Sequence, residues 1–143
     1  MDQQIQFFIE DIKEPVLDYD KIKNWLSLLI QTHRFDLIEL NYILCSDTYL
    51  LQINQEHLQH DYYTDIITFD NSDAPNTIES DIFVSIERIT DNARKFNQEL
   101  GTEILRVLSH GILHLLGFND KSDADCIEMR KQEELAIELY NKN

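Results

Sequence analysis

A chain of 143 residues, 43% hydrophobic and 27% charged, is enough for one ordinary domain with a single core. Its formal net charge of −15 excludes a protein that coats nucleic acid indiscriminately, because neutralising phosphates takes a basic surface. With no run of eighteen apolar residues it has no membrane-spanning helix, and MDQQIQFFIEDIKEP lacks the basic leader and apolar stretch of a secretory signal, so a cytoplasmic protein is expected.

Residues 4–9 (QIQFFI) read as a first strand. After Pro15, Asp18 or Asp20 can cap a helix whose Ile22, Trp25, Leu26, Leu29 and Ile30 share one face. Residues 37–45 read as a strand with Ile38, Leu40, Tyr42 and Leu44 directed to the same side, and Asp47 can cap a helix to about Leu58. Asp65–Phe69 is strand-like, and so is Asp81–Val84 after a long loop from Asp70 to Glu79. Ile86, Ile89, Ala93 and Phe96 mark a helix, another starts near Thr102, and a last one starts at Ser122 with Asp125 in capping-box position. The order predicts an α+β fold, a four-stranded mixed β-sheet backed by about five helices in one domain spanning residues 1–143. Cys45 and Cys126, the only cysteines, are expected to be buried thiols and do not make a zinc knuckle.

The chemistry concentrates in Ser109–Asp120, SHGILHLLGFND. Ile104, Leu105, Leu108, Ile112, Leu115 and Leu116 predict a mostly buried helix, so His110 and His114, four apart, project from one side of it. Gly117 can end the helix in a left-handed conformation, and Asp120 can then return to the level of the imidazoles. Two histidines and a carboxylate with a fourth position open to water are the donors of a catalytic divalent-metal site. A histidine pair at this spacing is more often ordinary on its own, but this helix is too apolar to lie on the surface. Gly111 costs its helix about 1 kcal/mol relative to alanine. It either leaves space beside the ligands or lets the helix approach a strand closely. It also stands where HExxH metalloproteases carry their catalytic glutamate, which places a peptidase reading second. A phosphodiester beside a 2′-hydroxyl brings its own nucleophile and needs no such base.

SHGILHLLGFND resembles the signature of the YbeY-type bacterial endoribonucleases, whose pattern is His-Gly-x-Leu-His-Leu-x-Gly-Tyr/Phe-Asp-His. Residues 54–69 and Ser80–Ile82 resemble two further segments of that family. The resemblance implies a zincin-like metal helix, one Zn²⁺ per chain with other divalent metals able to replace it, and the ligands His110, His114 and Asp120. It also implies single-strand cleavage that matures the 3′ end of small-subunit (16S) rRNA, a part in ribosome quality control, and the small ribosomal subunit and its proteins as partners of a monomer. Two positions depart from the family: Asp120 replaces a third histidine, and Leu58 replaces an arginine that engages RNA phosphate. Arg106, one turn before His110, can substitute for that arginine or form an ordinary salt bridge. Asp61 and Thr64 complete the catalytic candidates, with Asp65 beside them, and His57 and His60 are expected to be exposed bystanders. The alternatives are a small zinc hydrolase of peptides or nucleotides, and a non-catalytic ribosome-assembly factor with a structural metal.

Overall fold

The computed structural model describes residues 4–59 and 63–142. Its elements run β1 (Ile5–Ile9), α1 (Tyr19–Thr32), β2 (Asp36–Cys45), α2 (Asp47–Leu58), β3 (Ile66–Asp70), β4 (Thr77–Ser85), α3 (Ile86–Lys95), α4 (Leu100–Leu115) and α5 (Asp123–Lys142). The four strands form one mixed sheet in the order β1-β2-β4-β3. β1, β2 and β4 run parallel, and β3 pairs antiparallel to β4 at the edge. This is the α+β architecture expected from the element order.

Alternation along the strands separates two cores. Ile5, Leu40, Tyr42, Leu44, Ile78, Ile82 and Val84 face one way and pack with Trp25, Leu26 and Ile30 of α1 and Ile104, Leu108 and Ile112 of α4. Ile67 and Cys45 face the other way, where α2 covers them with Leu50 and Ile53. Burial pushes the Cys45 thiol up to about 12, a closed-in and unreactive group. Two buried hydrogen bonds tie the layers together: the Tyr42 hydroxyl donates to the Leu108 carbonyl at 2.7 Å, and the Trp25 indole N–H donates to the Ala136 carbonyl at 2.7 Å. The first anchors α4 to the middle of the sheet, and the second anchors α5 to α1.

The caps and edges depart from expectation in specific ways. Asp18 does cap α1, accepting from the Lys21 N–H, but Ser46 caps α2 through the Tyr49 N–H. Asp47 is instead the first residue of α2, and its carboxylate is held by Arg88 at 2.7 Å and by the Ser85 hydroxyl. β4 starts at Thr77, four residues earlier than expected, because Ile78 and Ser80 alternate inward before Asp81. Ile38 is 50% exposed rather than facing the core, since the β2–β4 register shifts between Leu37 and Glu39 and turns it out. Phe96 ends α3 and is 63% exposed, and Cys126 is exposed on α5. Ser122 and Asp125 do form the reciprocal capping box at the start of α5.

Candidate metal centre

α4 carries the site, and two local features of its sequence set the geometry. The first is Gly111. A Cβ there would meet Ile66 Cδ1 at 3.0 Å, Ile82 Cδ1 at 3.2 Å and Thr68 Oγ1 at 3.3 Å. The glycine therefore lets the helix lie directly on β3 and β4, which is the close-packing alternative, and the space at its own Cβ position is filled by those three side chains. The second is Gly117, at φ 107°. Its N–H donates to the His114 carbonyl and the Phe118 N–H donates to the Leu113 carbonyl, both at 3.0 Å, which is a Schellman reversal. Phe118 packs edge-on against His33 at the end of α1, and the Cys126 thiol donates to the Asp120 carbonyl at 3.3 Å. The returning segment is thus pinned on both sides.

The result is a convergence of donors. His110 and His114 stand with ring centroids 4.7 Å apart. The Asp120 Oδ2 lies 3.3 Å from His114 Nε2 and 3.5 Å from His110 Nε2, and ligand atoms of all three residues fall within 4.8 Å of one another. Donors at about 2.1 Å from a shared tetrahedral cation are separated by about 3.4 Å. The chemistry of this set and its two Asp120–imidazole separations therefore fit a zinc-like ion.

One residue that orients the site was not foreseen. Glu133 of α5, only 6% exposed, holds His110 Nδ1 at 2.7 Å through Oε2. It thereby leaves His110 Nε2 free to point at the donor cluster, as carboxylates behind metal-binding imidazoles do. Its other oxygen meets Arg106 Nη1 at 3.4 Å. Burial works against a charged His110, but the hydrogen bond and charge of Glu133, with Asp120 and Asp65, outweigh it and raise its pKa. The sequence signal was present: Met129, Glu133, Ala136 and Ile137 repeat at one-face spacing, with a carboxylate in an otherwise buried stripe.

Arg106 is turned to structural use. Its guanidinium is enclosed by Glu103 at 3.2 Å, Glu133 at 3.4 Å and Glu134 at 2.7 Å, and only 9% of the residue is exposed. Of its two expected uses, the salt bridge is the one observed. Thr64 lines the cleft above the donors, together with Asp65, Thr68, Asn54 and Leu58, in a cavity of about 570 Å³. Burial raises the Asp65 carboxyl, while His110 opposes the shift. His57 is exposed on α2 and its ring meets Phe69 edge-on. Asp61 and His60 lie outside the described residues.

A family profile described as Endoribonuclease YbeY matches residues 6–141. The chain belongs to the YbeY endoribonuclease family. Curated YbeY relatives include one from Cytophaga hutchinsonii, 45% identical over 138 residues and covering 96% of both chains. Another, from Flavobacterium johnsoniae, is 49% identical over 118 residues, covering 82% of this chain and 84% of the relative. Both carry the name Endoribonuclease YbeY. Among solved structures, a protein from Thermotoga maritima superposes with a TM-score of 0.66 at 27% identity, covering 95% of this chain and 88% of its own. The YbeY match runs from Gln6 on β1 to Asn141 on α5 and so contains His110, His114, Asp120 and Glu133.

Proposed function

We propose that this chain is a metal-dependent endoribonuclease that cuts single-stranded RNA, and that its task is maturation of the 3′ end of small-subunit rRNA and ribosome quality control. The observation that carries the chemistry is the convergence of His110, His114 and Asp120 within 4.8 Å at the floor of an open cleft. Family membership supports RNA as the substrate class. The three residues would hold a single Zn²⁺, which when bound would supply positive charge to a phosphodiester's oxygens. Glu133 fixes the His110 tautomer and ring angle, and Arg106 holds Glu133. Asp65 lines the same cleft and, in this reading, accepts a proton from the attacking hydroxyl, the 2′-hydroxyl of the strand itself or a water. Thr64 lines the cleft and offers a polar contact to the substrate. The 143 residues act as one domain, monomeric and cytoplasmic, with the small ribosomal subunit as the partner; among the described residues no helix is long and apolar enough to cross a membrane.

The test is cleavage of a single-stranded RNA by metal-loaded protein beside His114→Ala, followed by a precursor carrying the 3′ end of small-subunit rRNA. Wild type cuts both and the variant cuts neither. Equal cleavage by the variant assigns the activity to a contaminant, and wild type that ignores both strands overturns the reading. Cleavage of the short strand alone removes the ribosomal assignment.

A further inference from the structure

The donor cluster opens on two sides. His110 and Asp120 line both the cleft over the sheet and a second one, of about 610 Å³, along α5. The two differ in charge. The sheet-side cleft has Asp65, Asp70 and Asp120 in its wall and no lysine or arginine. The α5-side cleft contains Arg130 and Lys131 beside Asp120, Glu133 and Glu134, with Ile127 and Met129 as its apolar part. Glu133 and Glu134 are already paired with Arg106, so the two cations are left to face the opening.

These two cations are also uncommitted. Arg88, Arg94 and Arg106 are each spent on carboxylates, whereas Arg130 and Lys131 are exposed and enter no ion pair among the described residues. Arg130 further lines a neighbouring hollow with Phe96 and His110. Phe96 is 63% exposed, the most exposed of the large aromatics among the described residues, and Lys95 stands over its ring at 5.7 Å. Ile127, 71% exposed, borders the same cleft. Unpaired cations near an exposed aromatic ring are what a single strand needs, a positive track for phosphates and a face for a base. On a chain of net charge −15 such a track must be local.

We infer that Arg130, Lys131 and Phe96 form the strand-holding subsite of this enzyme, with two backbone phosphates on the cations and one base stacked on the ring. This rests on the nuclease reading above and adds the direction in which the strand leaves the metal centre. The substrate's charge lies along α5, and the acidic sheet-side cleft receives an uncharged part, a base or sugar.

The probe is a dye-labelled, 2′-O-methylated single strand that resists cleavage, titrated against metal-loaded protein over a range of salt. For single strands log K falls with log salt by about 0.7 for each phosphate neutralised. Arg130→Gln/Lys131→Gln should therefore flatten the slope by about 1.4, and Arg130→Lys/Lys131→Arg should restore it. Phe96→Ala should weaken binding about tenfold and leave the slope unchanged, since stacking carries no counterion. A charge-matched control, Lys23→Gln/Lys142→Gln, far from the cleft, should behave as wild type. An unchanged slope in the Arg130/Lys131 variant, with wild-type cleavage intact, overturns the subsite and spares the nuclease. A wild-type protein that binds the strand through these residues but cuts no RNA overturns the nuclease reading and spares the subsite. Protein that neither binds nor cuts overturns both.

Discussion

In the candidate metal centre His110 is held from behind by Glu133 and Asp120 is carried by the turn after Gly117, and each can be altered alone. Asp120→Ala should bring metal content, measured by mass spectrometry on purified protein, from stoichiometric to near zero, because two imidazoles alone hold a divalent ion weakly. Retention of the ion would exclude Asp120 as a ligand. Glu133→Gln keeps the shape but weakens the grip on His110 Nδ1, so metal affinity by chelator competition should fall about 10–100-fold. No change would make Glu133 an ordinary core ion-pair partner of Arg106. Gly117→Ala places a side chain at φ 107°, a strain on the order of 1–3 kcal/mol. It should lower the melting temperature and loosen Asp120 together.

The elements show where local pattern sufficed and where it did not. Ile22, Trp25, Leu26, Leu29 and Ile30 announce α1 because an isolated amphipathic helix writes its own period. His110, His114 and the Gly117 stop were legible for the same reason, being one helix and its end. Ile38 was misread because a bulge depends on how β2 pairs with β4, forty residues away in the chain. The α5 stripe marks Glu133 as a buried carboxylate, but nothing local in it names His110 as the partner it meets. Gly111 was open between two roles, and only the arrival of Ile66, Thr68 and Ile82 decides for close packing. Gly111→Ala gains about 1 kcal/mol of helix propensity and meets three contacts at once, an overpacking of about 1–3 kcal/mol. Two of the three contacts are the ends of isoleucine side chains held in the core interface, so net destabilisation is expected, by thermal melting, together with weaker metal binding as α4 rides outward.

For the molecule as a whole, a bound ion would add a further link among parts that the core already packs together. His110 and His114 belong to a helix laid on the sheet, Asp120 to the turn beyond it, and Glu133 to a helix docked behind. An ion that binds only this arrangement should stabilise the fold by about 2.7 kcal/mol when free metal is a hundredfold above its dissociation constant. Adding a chelator should lower the melting temperature of wild type but not of Asp120→Ala, as read by calorimetry. Equal melting in both would detach the ion from the fold.

The capture of His110 by a residue of α5 also makes the angle of that ring depend on a helix other than its own. Undocking α5 at a remote point, such as the Trp25 indole that donates to the Ala136 carbonyl, should therefore slacken the imidazole without altering any donor. The aim of His110 is in this sense a gauge of how firmly a distant helix is seated.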